Sequence, residues 1–124
     1  MSTSVLIIES EPWLGDHYES ILRKEGFCVD RASHAYAAMD MVDKKMPSAI
    51  VMSLLLSGTS GIGLLHELQT YVDTSQIPIV VYGRYTDITL EDLEPYGVRR
   101  FLDSAIMRPE DVVAAVRSVA LGTL

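Results

Sequence analysis

Cysteine, basic residues and long apolar runs are scarce in this sequence, and each shortage closes off a class of protein. Cys28 is the single cysteine among 124 residues, so there is no internal disulfide and no cysteine-rich metal site. That usage fits a reducing, cytoplasmic setting. No apolar run approaches the ~18 residues of a membrane helix, and MSTSVLIIE has no basic stretch ahead of its short apolar segment, as a signal peptide would. Ten Lys and Arg stand against seventeen Asp and Glu, a formal charge of −7, which argues against a nucleic-acid surface. Walker and dinucleotide fingerprints are missing, and the loop ESEPWLG lacks the Ser/Thr/Gly-rich cradle that binds phosphate. No nucleophile elbow supports a Ser-His-Asp triad. His17, His34 and His66 fall on three different segments without metal-ligand spacing and are expected at the surface.

What is present is an alternation. Five short apolar runs (residues 5–8, 27–30, 49–52, 77–82 and 100–102) are separated by helical patterns. Strands spaced by helix-length segments imply parallel pairing, because a parallel crossover needs about a dozen residues. The first, third and fourth runs show no polar alternation, as expected of strands covered on both faces. Pro12 suits the first position of a helix whose apolar side is Leu14, Tyr18, Ile21 and Leu22, with Gly26 as its stop. Ala35, Ala38, Met39, Val42 and Met46 give the second helix its stripe, which Pro47 ends. The third helix covers about 61–71. The fourth, 88–93, is short, polar and cut by Pro95. The last begins at Pro109 and buries Val112, Val113, Val116 and Val119. With no linker or repeat, residues 1–124 read as one α/β domain, a (βα)5 arrangement with helices on both faces of the sheet.

The most specific stretch is PSAIVMSLLLSGTSG at 47–61, in which an apolar strand ends on Ser53. Together with VLIIESEP at 5–12, PIVVYGR at 78–84 and GVRRFLDSA at 97–105, it resembles the receiver domain of two-component response regulators. Leu54, Leu56, Gly58, Gly61, Leu64 and Leu65 fall in register with that family's pattern. The resemblance runs from Val5 to about Val119. It implies a flavodoxin-like doubly wound sheet in strand order 2-1-3-4-5, with a site at the carboxyl ends of the central strands.

Receivers accept a phosphoryl group on an aspartate, with Mg²⁺ neutralising the developing charge. The family pattern supplies two adjacent acids after strand one, the acceptor aspartate after strand three, Ser/Thr after strand four and Lys after strand five. Here Glu9 stands at the first acid and Ser10 at the second. Ser53 takes the acceptor position, Gly83 the hydroxyl position and Ser104 the lysine position. Glu11 follows as a further nearby acid. The six residues therefore read as a vestigial phosphorylation pocket with no catalytic residue. No cofactor is expected, and Mg²⁺ binding should be weak or absent, because the ion wants several hard carboxylate oxygens. A serine hydroxyl is neutral near pH 7 and cannot form the reactive acyl-phosphate. The Ser104-Ala105 bond is expected to be trans, since a cis non-proline bond costs ~2.5–4 kcal/mol.

Phe101 matches the aromatic position that reports phosphorylation in receivers, and is otherwise a packed strand residue. Glu9 is expected either to pair with Arg84 or, as the plainer reading, to be a solvated carboxylate at a strand end. Arg84, Arg99, Arg100, Arg108 and Arg117, with Tyr82, Tyr85, Tyr96 and Met107 nearby, form a basic and aromatic group. It would lie toward the face built from the fourth helix, fifth strand and fifth helix. Such a face suits a protein partner or a homodimer; otherwise these arginines pair with Glu91, Asp92, Glu94 and Asp111. Trp13 is expected at the pocket rim. Neither nucleic acid nor membrane is expected as a partner. The sequence reads best as a phosphorylation-independent pseudo-receiver acting through protein contacts. The alternatives are a divergent receiver that still accepts phosphate and a small-ligand sensor using the vacated pocket.

Overall fold

Residues that are apolar without alternation become the middle of a sheet. The structure, a computed structural model, describes residues 3–56, 59–84 and 88–120. Five parallel strands form one sheet: β1 (Ser4–Ile8), β2 (Cys28–Ala32), β3 (Ala49–Ser53), β4 (Ile79–Gly83) and β5 (Val98–Asp103), in the order 2-1-3-4-5. β3 lies at the centre, and its Ala49, Ile50, Val51 and Met52 are fully buried, as a strand covered on both faces must be. The edge strand β2 is only partly buried: Val29 and Ala32 are covered, on opposite faces, while Cys28 and Asp30 are exposed. The resemblance had implied this order, and the sheet has it.

Side-chain alternation divides the interior into two cores. Leu6, Ile8, Ile50, Met52, Ile79 and Val81 face α2 (Ala35–Lys44), α3 (Ile62–Thr70) and α4 (Leu90–Leu93). Val5, Ile7, Val51, Val80 and Tyr82 face α1 (Pro12–Lys24) and α5 (Pro109–Ala120). Gly26 follows α1 at φ +95°, and Gly97 precedes β5 at φ +87°, a region that costs little only for glycine. Gly15 in α1 has a different reason. A Cβ there would stand 2.3 Å from the Arg31 guanidinium, which lies over the helix and pairs with Asp16 and Glu19.

Most sequence-read elements are in place, with shifted ends. β2 starts one residue later and runs to Ala32, and β5 extends to Val98 and Asp103. α4 is a single turn followed by a 3-10 turn at Glu94–Tyr96, where Pro95 sits. Its start is fixed by a capping box between Thr89 and Asp92. Met46 departs from the expected stripe: it lies beyond the end of α2 and is 46 % exposed. Val119 is half-buried rather than buried. His34 caps α2, its Nδ1 accepting from the Ala37 N–H at 3.2 Å. Residues 121–124, Gly58 and Tyr85 lie outside the described residues. No cis peptide occurs among the described residues, and no helix there is long and apolar enough to cross a membrane.

Candidate functional site

Parallel strands deliver their carboxyl ends to one edge of the sheet, and the loops leaving them frame an open cleft of about 670 Å³. All six residues expected there line it: Glu9, Ser10, Glu11, Ser53, Gly83 and Ser104. Arg84 joins them, with an apolar wall of Leu14, Leu54, Leu55 and Ile88. Trp13, expected at the rim, is 66 % exposed and does not contribute to the lining.

Glu9 corrects both of its expected readings. It is neither solvated nor paired with Arg84: its side chain is 5 % exposed and held inside the fold. One carboxylate oxygen accepts a hydrogen bond from the Tyr82 hydroxyl. The other accepts from the backbone N–H of Glu11 at 2.9 Å. A buried carboxylate needs such donors, because an unpaired one would be costly to keep out of water. The ring of Tyr18, from α1, packs edge-on against Tyr82 with centroids 5.0 Å apart. Burial pushes the Tyr82 phenol far above its ordinary range, helped by the hydrogen bond to Glu9. Tyr18 is raised as well, by burial and then by the Glu9 charge.

The strand order explains how Tyr82 gets there. β3 lies between β1 and β4, so Glu9 and Tyr82 approach each other across its end, a span of ~10 Å at ordinary strand spacing. Tyr82 is paired in register with Ser53. A long phenol on β4 and a glutamate on β1 together cover the distance. Sequence reading placed Tyr82 at the end of the fourth strand and near the basic group, but missed this contact. A signal was present: Tyr82 follows Val80 and Glu9 follows Ile7 at a spacing of two, which puts both on the same face of the sheet.

Ser53 is turned into its own loop. Its hydroxyl donates to the Leu55 carbonyl at 2.8 Å and accepts from the Leu55 N–H at 3.3 Å. Leu55–Leu56 then pairs antiparallel with Thr59–Ser60 before α3. Gly83 is covered by Leu54: a Cβ at residue 83 would meet the Leu54 Cβ at 3.1 Å and the Phe101 ring at 3.9 Å. Phe101 is buried, 6 % exposed. Ser104 is exposed, and its N–H donates to the Gly83 carbonyl at 2.9 Å. Glu11 is exposed and occupies the N-cap position of α1 without a side-chain capping bond. Among the described residues, no group of three or more His, Cys, Asp or Glu is placed to hold a metal ion.

The basic group does not gather into one patch. Arg100 and Met107 border a groove between β5 and α5, together with Asp103 and Asp111. Tyr96 turns instead to α3, its ring 6.1 Å from that of His66. Arg84 is at the cleft, and Arg99 is exposed on β5. Arg108 lies 3.5 Å from Glu110 and 3.7 Å from Asp111. Arg117 leaves the group altogether and pairs with Glu25, beyond the end of α1, at 2.7 Å. The reason is position along α5: Arg108 precedes the helix, whereas Arg117 lies in its last turn, within reach of Glu25 at the end of α1.

A doubly wound parallel sheet with a cleft at its central strand ends defines a flavodoxin-like architecture, and the sequence narrows it further. Residues 5–117 match the model of the response regulator receiver domain, and the chain belongs to that family. It is 28% identical over 123 residues to the sensory transduction protein RegX3 of Mycobacterium tuberculosis, covering 94% of this chain and 50% of that protein. The chain therefore spans about half the length of the curated relatives it matches. Among solved structures, a putative response regulator from Chloroflexus aurantiacus superposes with a TM-score of 0.86 at 24% identity, covering 98% of this chain and 99% of that one. The receiver domain of the Pseudomonas aeruginosa sensor histidine kinase PA1611 gives 0.83 at 16% identity, covering 97% and 98%. That domain is described with a magnesium ion coordinated in its active-site cleft. Receivers of this family are generally signalling modules rather than enzymes.

Proposed function

We propose that this chain is a receiver domain that signals without taking up a phosphoryl group, a pseudo-receiver that works through protein contacts. The observation that carries the reading is the state of the strand-end cleft. Its one buried acid is committed to Tyr82 and to the Glu11 N–H. The acceptor position holds a serine whose hydroxyl is bonded back to Leu55. A serine there is neutral and poorly nucleophilic without a neighbouring base, and Ser104 brings no cation toward a transferring phosphate.

The donors present do not fit magnesium. Mg²⁺ demands near-octahedral oxygen ligands and is usually held by one or two carboxylates with water. Both Glu9 oxygens already accept hydrogen bonds, Glu11 is a single exposed carboxylate, and Ser10 and Ser53 are neutral. No step through the ion is therefore derived, and the domain is proposed to act without a cofactor. Residues 1–124 would form one domain, working in the cytoplasm on a protein partner or a second copy of itself. Arg100, Met107 and the groove they border are the favoured contact, with neither nucleic acid nor membrane bound by this domain.

Incubation with a small phosphodonor and Mg²⁺, followed by intact-mass measurement, tests the reading. The mass should stay unchanged while a receiver with an intact acceptor aspartate, run in parallel, gains one phosphoryl group. A phosphorylated wild-type species would sink it and favour the divergent phosphate-accepting receiver. The open cleft supports a second reading, since ~300–1,000 Å³ is the usual size of small-ligand sites and neither Trp13 nor Arg84 closes it. A sensor role would require saturable binding of a small molecule that is lost on Leu54→Arg.

A further inference from the structure

We infer that the Tyr82 hydroxyl is the built-in occupant of the cation position on Glu9, and that it determines whether this cleft admits a divalent ion. The inference rests on the proposed phosphorylation-independent reading and names the residue that enforces it. The earlier losses at Ser10 and Ser53 remove ligands. Tyr82 does something different, because it engages one oxygen of the cleft's buried acid, Glu9.

The geometry is direct. Glu9 has two carboxylate oxygens, and each already accepts a hydrogen bond, one from the Tyr82 hydroxyl and one from the Glu11 N–H. The acid is 5 % exposed and Tyr82 3 %, so water cannot easily replace either donor. A divalent ion approaching that oxygen would compete with the phenol, and a displaced hydroxyl would then be buried without a partner. Tyr82 also cannot swing away freely, since Tyr18 packs edge-on against its ring. A hydrogen bond to a carboxylate is charge-assisted, so the phenol answers part of the demand that a cation would otherwise meet. It does so permanently and without ion uptake.

Ser10→Asp supplies a second carboxylate and so gives an ion a reason to bind; it is the background in which the effect of Tyr82 can be read. Mn²⁺ serves as the probe, with paramagnetic broadening of the backbone amide signals of residues 9–11 as the readout. Ser10→Asp/Tyr82→Phe should bind Mn²⁺ roughly tenfold more tightly than Ser10→Asp alone, the order expected when an ion no longer has to leave a buried hydroxyl without a partner. Adding Glu9→Gln should abolish the gain. Equal affinity with and without the phenol would overturn the inference. So would tight Mn²⁺ binding by the wild-type chain, an arm that stands even if the double variant fails to fold. Either failure is distinguishable from failure of the pseudo-receiver reading, because phosphoryl uptake is scored separately by mass.

Discussion

Tyr82 and Glu9 illustrate how much one buried contact decides. The phenol is neutral, the carboxylate is held by two donors, and neither requires solvent. Tyr82→Phe keeps the ring against Tyr18 and removes only the hydroxyl. Chemical denaturation should show a loss of about 1–3 kcal/mol, the usual cost of leaving a buried polar group without its partner. The phenols also predict a pH dependence. The folded state raises Tyr82 and Tyr18 above the ordinary phenol value of 10.0, so it keeps protons that the unfolded chain releases. Their contribution to stability is intact below about pH 10 and is lost as pH rises beyond it. Phenolate absorbance should show Tyr82 and Tyr18 still protonated in the folded protein at pH values where the unfolded chain has released its phenol protons. Titration of all six tyrosines in one step with the fold intact would contradict the burial of this pair.

At the scale of elements, the loops leaving β3 and β4 are shaped by packing. Leu54 covers Gly83, so Gly83→Ser brings a Cβ to about van der Waals overlap with it and should destabilise by roughly 1–3 kcal/mol. In a Leu54→Gly background, which removes the Cβ that the new one would meet, the same change should cost less, with a coupling of about 0.5–3 kcal/mol in a double-mutant cycle. Additive costs would show that Leu54 does not fill the hydroxyl position. Gly97→Ala, at φ +87°, should lower stability by about 1–2 kcal/mol, measurable by thermal melting.

These elements were legible in the sequence to different degrees. The non-alternating runs of β1, β3 and β4 announced buried parallel strands, and Pro12, Gly26 and Pro109 marked helix ends. The positions of Glu9, Ser53, Gly83 and Ser104 at one cleft followed once the strand order was known. Three things stayed hidden for one physical reason. The reach of Tyr82 to Glu9, the seat of Leu54 on Gly83 and the departure of Arg117 to Glu25 all join segments distant in the chain. Local periodicity reports which face a residue occupies, not which side chain meets it there.

At the scale of the whole molecule, the receiver architecture carries a phenol, a glycine and three serines at its strand-end cleft. The fold still offers a groove between β5 and α5, bordered by Arg100 and Met107 together with Asp103 and Asp111. If that groove carries the partner contact, Arg100→Glu should reduce partner or self-association several-fold in sedimentation or pull-down assays without lowering the melting temperature. Undiminished association would exclude the groove. The more central claim is that the phosphate site was lost as a set, so that no single residue can return it. Intact mass of Ser53→Asp after incubation with a phosphodonor and Mg²⁺ tests this most directly. The mass should remain unmodified, because Tyr82 still holds Glu9 and residue 10 still lacks a carboxylate; ready uptake of one phosphoryl group by that single variant would contradict it.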